Sequence, residues 1–462
     1  MPNATLPRAT PAESLGVLTD VLLPNVAKGP ILRRPRVVAA AERLQLDRRG
    51  VERLQRLRDR YGDGPLLLSG VPGREQGVVL DPATLRRVLD ETPDPFAAAS
   101  SEKRAALAHF QPEGVLATRG PERAERRRYN EAVLDSGCPR HAFAARFQAV
   151  VQEEAAELLR GARRGAGEEV LTWDAFARAW WRAVRRVVLG DGARDDSALT
   201  DMLQQLRSDA NLAFLWPRRE VLRGYFDARL RAHLARAEPG SLAAMIARTP
   251  AGPNTDPEQQ VPQWLFAFDA TGIATVRALA LLDAHADYGE QARWEARDAA
   301  RHPTLPLLRA AVLESVRLWP TTPMILRQTT AETRWEKGTM PAGTGLLILV
   351  PFFCRDGERL AEADRFAPEL WLDAAGEGGA HIGERAATAW PLIPFSAGPA
   401  FCPGRHLALL MASTMLGALV RDGRWAPRGG LRLDARRPMP ATFNNFALRF
   451  ARGGDAGARR SA

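Results

Sequence analysis

Apolar residues recur at three- and four-residue spacing along most of this chain and alternate only in short runs, which predicts a mainly helical protein with a minor β part. The first clear stripe is Val51, Leu54, Leu57 and Tyr61, entered after Asp47 and stopped by Gly62. Two strand-like runs follow, Pro65 to Val71 and Gln76 to Leu80. Asp81-Pro82 then reads as a cap with proline in the first turn of a helix that reaches Glu91. Thr92 to Gly120 has weak periodicity and reads as a long loop. From Pro121 to Arg301 the pattern is almost entirely helical, and glycine or proline breaks, one of them at Gly161 to Gly167, delimit six or seven helices. Leu305 to Leu318 gives another helix, Pro323 to Arg334 and Thr344 to Pro351 are strand-like, and Ala363 to Gly398 is irregular. A last apolar helix runs from near Cys402 to near Asp422, ahead of strands at Ala441 to Phe450. With no repeat and no linker, the reading is one domain over 47–451, after an irregular, proline-dotted arm over 1–46 and before a frayed tail over 452–462.

Composition narrows this further. At 462 residues, 45% hydrophobic and 26% charged, the chain is an ordinary globular protein. The net charge of +10 suggests nucleic acid at first sight, but of the 64 basic residues only Lys28, Lys103 and Lys337 are lysine. The arginines are spread along the whole chain, as GC-rich codon usage gives, rather than gathered on one element, so no nucleic-acid partner is expected. Met1 to Pro30 lacks a secretory pattern, and the longest uncharged stretch, Gly338 to Cys354, carries prolines and glycines that suit a strand and its turns. The expectation is a soluble, cytoplasmic protein with no membrane partner. Cys138, Cys354 and Cys402 are too few for a disulfide framework and fit a reducing compartment.

The chemistry concentrates in Pro394-Phe395-Ser396-Ala397-Gly398-Pro399-Ala400-Phe401-Cys402-Pro403-Gly404-Arg405. A cysteine just before a helix has backbone N–H groups aimed at its sulfur, which lowers its pKa and favours a thiolate able to ligate iron. The alternative is a small buried hydrophobe, the commoner fate of a lone intracellular cysteine. Upstream lies Glu314-Ser315-Val316-Arg317, whose acid and base share one helix face at i, i+3.

Together, Phe395, Gly398, Cys402 and Gly404, with Glu314 and Arg317, resemble the haem loop and buttressing helix of the cytochrome P450 family, here in its bacterial form. The resemblance extends from about residue 50 to residue 450. It implies the single-domain cytochrome P450 fold and a haem b whose iron is bound by Cys402. Arg327 then matches the strand arginine that pairs with one haem propionate, and Arg123 and Arg127 the basic pair on the helix beside the other; Arg126 and Arg128 read as solvated helix charges. Arg355-Asp356 and Phe366-Ala367-Pro368-Glu369 match the segment between buttressing helix and haem loop. The stretch Phe266 to Val276 resembles the long distal helix, with Thr275, Thr271 and Gly272 as the groove over the iron. Phe268, sharing the face of Thr275, together with Thr271, Met324 and Ile325, is expected to line the substrate pocket, and the structural alternative for Thr275 is a bond back to the carbonyl four residues earlier.

Three departures stand out. Ala274 replaces the acid before the distal threonine, Ala400 replaces a basic residue, and Leu370 replaces the arginine that completes the Glu314 and Arg317 network. Arg405 or His406 is a candidate to compensate for Ala400. The resemblance implies a monooxygenase that inserts oxygen from O2 into a small or medium apolar organic molecule of the secondary-metabolite kind. Because the chain ends soon after its last strands, electrons from NAD(P)H are expected to arrive through a separate ferredoxin and ferredoxin reductase. Ala274 keeps open an atypical haem-thiolate chemistry, such as peroxide-driven oxidation, nitration, oxidative coupling or rearrangement. A non-catalytic haem sensor is the more distant reading.

Overall fold

A computed structural model describes residues 5–70, 73–163, 170–372 and 391–453. The N-terminal arm is helical rather than irregular: α1 (Pro11–Val17) and α2 (Leu23–Lys28) are joined by a π-helical turn at Leu18–Leu22, and α3 (Pro35–Leu44) follows. Pro11, Pro24 and Pro35 sit in first turns, where proline is tolerated, and Thr10 with Glu13 closes a capping box. Val17, Val21 and Val38 are buried, so the arm packs on the body.

The next elements follow the pattern closely. Helix α4 (Leu46–Tyr61) buries Leu54 and Leu57 and stops at Gly62, whose φ of 71° suits glycine. Strands β1 (Pro65–Leu67) and β2 (Gln76–Val79) lead to α5 (Pro82–Asp90), where the Asp81 carboxylate accepts the Thr84 N–H at 2.8 Å. Val71 lies outside the described residues. The expected loop from Thr92 to Gly120 contains β3 (Phe96–Ala97) and α6 (Ser101–Leu107), the latter capped by Ser100.

Then come α7 (Gly120–Val133), α8 (Ala144–Arg163), β4 (Val170–Thr172), α9 (Trp173–Leu189), α10 (Ser197–Ala210), α11 (Glu220–Leu234), α12 (Leu242–Arg248), α13 (Pro257–Ala284) and α14 (Ala286–Arg297). These are eight helices among the described residues, one more than expected, because the chain also breaks at His285, with neither glycine nor proline to announce it. Most of the break expected at Gly161 to Gly167 lies outside the described residues. After α15 (Pro306–Leu318) come β5 (Met324–Thr329), β6 (Thr333–Trp335), β7 (Gly338–Met340), β8 (Gly345–Leu349) and the short α16 (Val350–Cys354). Much of the irregular stretch expected at Ala363 to Gly398 also lies outside the described residues; what is described includes a 3-10 turn at Pro368–Trp371. The chain closes with α17 (Arg405–Val420), β9 (Arg424–Gly429) and β10 (Arg449–Gly453). The final pairing therefore begins earlier and ends later than Ala441 to Phe450, and Arg452 and Gly453 belong to a strand rather than to the tail, the rest of which lies outside the described residues.

The main sheet has strand order β1-β2-β8-β5-β3, antiparallel except for the parallel β2 and β8 pair. Strand β10 pairs with β4 and β9 in a second sheet. Helix α13 is buried along most of its length and packs on α9, α15 and α17, forming the spine of one continuous core. It is also the helix among the described residues that is long and apolar enough to span a membrane, and 72% of its most apolar stretch lies inside the protein.

Candidate active site

Cys402 lies in a loop held from several sides. Its N–H donates to the Phe395 carbonyl at 2.9 Å, and Gly398, at φ 64°, lies against the carbonyl of Leu89 on α5. A Cβ at Gly398 would stand 2.1 Å from that oxygen, so only glycine lets the loop approach. At Gly404, by contrast, a Cβ would meet only a Leu134 methyl at 3.8 Å, so protein packing alone does not demand glycine there.

The thiol departs from the expectation of a lowered pKa. Burial pushes it up, while the Gly404 N–H, Arg127 and Arg405 pull it down. A metal would reverse that balance, since a coordinating thiol is deprotonated. Arg127 on α7 donates to the Phe401 carbonyl at 2.7 Å and to Glu131 at 2.6 Å, while its Nη2 is buried without a partner. Arg127 and Arg405 both lie over the Phe401 ring, at 4.6 and 4.3 Å. Arg127 therefore also ties α7 to the cysteine loop. His406 is buried and held neutral, its pKa lowered to about 4 by burial and by Arg405 and Arg309.

A group of cations with no ion-pair partners among the described residues adjoins this loop. Arg123, one turn before Arg127 on α7, is buried and has no hydrogen-bond or ion-pair partner among the described residues. Arg327 on β5 is buried, donates to Thr92 Oγ1 at 3.0 Å and to the Leu326 carbonyl at 3.0 Å, and has its pKa lowered to about 10 by burial and then by Arg123. Lys103 on α6 joins them, with its pKa lowered to about 7 by burial and then by Arg327 and Arg123. Sequence reasoning missed Lys103 because it falls in the supposed loop; its signal was being one of three lysines in an arginine chain. Arg126 is corrected too. It is buried, donating to the Asn254 carbonyl, to Thr118 and to Asp256, whereas Arg128 is exposed as expected.

The buttress beneath the loop is complete despite Leu370. Arg317 donates to Glu314 at 2.6 and 2.8 Å and to the carbonyls of Cys354, Ala363, Glu362 and Arg365. Glu314 also accepts the Ala367 N–H at 2.8 Å and the Trp371 indole N–H at 2.7 Å, so Trp371 supplies the bond that an arginine at position 370 would make. Both charged side chains are wholly buried, where only a fully bonded pair is tolerable. Arg355 is likewise buried, against Asp364 and the carbonyls of Pro440 and Met439, and Asp356 pairs with Arg58.

Helix α13 gives a different face from the one expected. Gly272 and Phe268 pack on Trp180 of α9: a Cβ on Gly272 would stand 2.8 Å from the indole, the Trp180 N–H donates to the Phe268 carbonyl at 2.8 Å, and the two rings meet edge-on. These two residues join α13 to α9. Ala267, Ala270 and Thr271, at i, i+3 and i+4, form an accessible row, with Phe266 and Asp269 half-buried beside it. Thr275 is wholly buried and donates its hydroxyl to the Thr271 carbonyl at 2.8 Å, the structural alternative weighed for it. Ile325 shares a strand face with Arg327, while Met324, also half-buried, points to the opposite face. Helix α7 ties the parts together, with Asn130 accepting from Trp264 of α13 at 2.7 Å and Arg127 bonded to the cysteine loop.

This donor set fits haem b. A soft sulfur sits among positive groups, three buried or half-buried cations have no ion-pair partner among the described residues, Gly404 leaves room beside the cysteine, and Ala267 and Ala270 are accessible on the long helix. Among the described residues no group of three or more histidine, cysteine or acidic side chains forms another metal centre.

Comparison with known proteins agrees. Residues 281–439 match the profile of the family described as Cytochrome P450. Over 177 residues the chain is 28% identical to "Probable cytochrome P450 4s3" of Drosophila melanogaster, a match covering 38% of this chain and 34% of that one. It is 33% identical over 138 residues to geraniol 8-hydroxylase of Swertia mussotii, covering 30% and 26% of the two chains. It is 34% identical over 131 residues to cyclooctat-9-en-7-ol 5-monooxygenase of Streptomyces melanosporofaciens, covering 28% and 27%. The chain thus spans about a third or less of the curated relatives it matches. A crystal structure described as a cytochrome P450 superposes with a TM-score of 0.66 at 17% identity, covering 87% of this chain and 98% of the other, which shows the fold.

Proposed function

We propose that this chain is a cytochrome P450 that acts as a haem-thiolate monooxygenase, with Cys402 as iron ligand and a small or medium apolar organic molecule as substrate. The observation that carries the reading is the pairing of Cys402, set between Arg127 and Arg405, with a cation group at Lys103, Arg123 and Arg327 that has no ion-pair partner among the described residues, Glu102, Glu131 and Asp94 acting on it only at longer range. A haem bound there supplies reductive activation of O2 and transfer of one oxygen atom to substrate, with thiolate donation favouring O–O cleavage.

The chain's own groups do the rest. Arg327, Arg123 and Lys103 hold the two propionates, so Lys103 takes the duty missing at Ala400. The Gly404 N–H, Arg127 and Arg405 stabilise negative charge on the Cys402 sulfur. Ala267 and Ala270 leave space for substrate. Ala274 cannot carry a proton, and the buried Thr275 hydroxyl spends its hydrogen on the Thr271 carbonyl. Protons therefore reach the pocket through water held at the half-buried Thr271, which Thr275 fixes in place. Electrons come from a ferredoxin and its reductase in the cytoplasm, docking by charge near the exposed Arg128, so reduction slows as salt rises.

Labelled dioxygen supplied with ferredoxin, reductase and NAD(P)H should place one labelled atom in the product. Thr275→Ala should lower product formed per NAD(P)H and raise peroxide release. Unlabelled product, or equal turnover from peroxide without reductant, would favour the atypical chemistry that Ala274 suggests.

A further inference from the structure

A cavity of about 40 Å³ lies between the N-terminal helices, the turn after α15 and residues 441–446. It has room for a few waters or one small polar group, given roughly 10–15 Å³ per water. Ile273 and Arg277 reach it from α13, roughly 200° and 240° round the helix from Thr271, so it is separate from the site above.

Its charges do not balance. Lys28 pairs with Asp47, which also accepts the Thr442 hydroxyl at 2.8 Å. Arg33 and Arg277 have no ion-pair partner among the described residues. Arg33 donates to the carbonyls of Gly29 and Thr321, and Arg277 to those of Trp319 and Phe443 at 2.9 and 3.0 Å. The carboxylates that act on them, Asp47, Asp269 and Glu42, do so only at longer range. Burial, and then Arg33, lowers the Arg277 pKa to about 9.

Polar atoms are also left over. Arg277 Nε is buried with no partner, and Asn445, 0% exposed and lining the same cavity, has neither Nδ2 nor Oδ1 bonded. Folding rarely leaves such groups together around an open space unless something else satisfies them.

We infer that this cavity is a carboxylate-binding subsite in which Arg277, Arg33 and Asn445 hold the acid group of an organic acid. Arg277 offers Nε–H and one unused N–H on each Nη, a donor edge that suits two carboxylate oxygens, and the Asn445 amide adds another donor. The small volume and the Asp47 wall disfavour a dianion such as phosphate. The inference stands on these side chains alone and does not depend on haem.

The test is calorimetry and thermal melting of the purified holoprotein with acetate and with acetamide, at ionic strength balanced by chloride. Acetate should bind and raise the melting temperature, and acetamide should bind at least tenfold more weakly. Arg277→Gln and Asn445→Leu should each weaken acetate tenfold or more, about 1.4 kcal/mol. Asn445→Leu carries the test if Arg277→Gln fails to fold, because it removes only unbonded atoms. Cys402→Ala should keep acetate affinity, which separates this result from the haem reading. Equal binding of acid and amide, no effect on the wild type, or unchanged acetate affinity in Asn445→Leu would each overturn the inference.

Discussion

Replacing Trp371 with phenylalanine should destabilise the fold far more than loss of one exposed ring nitrogen would. Glu314 is wholly buried and receives four N–H donors, two on each oxygen: Arg317 Nε and Trp371 Nε1 on one, Arg317 Nη2 and the Ala367 N–H on the other. Phenylalanine leaves the first oxygen of this buried carboxylate with a single donor. A hydrogen bond to a buried charge contributes about 1.5–3 kcal/mol, and the gap left by the smaller ring adds to that, so the expected loss is about 2–4 kcal/mol. The control is Tyr288→Phe, which deletes a hydroxyl donating at 2.8 Å to the exposed Glu369 and should cost below about 1 kcal/mol. Urea unfolding followed by far-ultraviolet circular dichroism reads both, with m unchanged if only stability moves. A Trp371→Phe protein within about 0.5 kcal/mol of wild type, or no worse than the control, would refute the claim that Trp371 completes the buttress.

Gly272→Ala should cost about 1–3 kcal/mol by overpacking, because the new methyl meets the Trp180 indole at 2.8 Å; a neutral result in chemical denaturation would return Gly272 to the pocket. His406→Gln should flatten the acid side of the stability profile. The folded pKa of about 4 lies below the ordinary 6.5, so the unfolded chain binds the extra proton first, and stability present above pH 6.5 is lost as pH falls toward 4. The slope removed is at most about 1.4 kcal/mol per pH unit, and identical urea midpoints for variant and wild type across that range would count against a neutral buried His406.

What could be read from the sequence was what local chemistry encodes. Asp81-Pro82 and Gly62 mark helix ends because capping and positive φ depend on a few adjacent residues, and the cysteine loop shows itself through its glycines. Glu314 and Arg317 meet because i, i+3 geometry brings them together. The failures concern partners distant in sequence. A helical wheel gave the angles of Phe268, Gly272 and Thr275 correctly, yet could not say that Trp180, far upstream, fills the sector of the first two. Nor does anything near Trp371 announce that its indole answers Leu370, and the N-terminal prolines read as breakers because their place in first turns is visible only once the helices are.

The central claim is that Cys402 binds haem iron as a thiolate, and the most direct measurement is the difference spectrum of the reduced protein with carbon monoxide. The wild type should show a Soret band far to the red of that of histidine-ligated haem proteins, and Cys402→His should lose that shift while still holding haem through Arg327, Arg123 and Lys103. A wild type that never takes up haem, or a red-shifted band that survives in Cys402→His, would contradict the account.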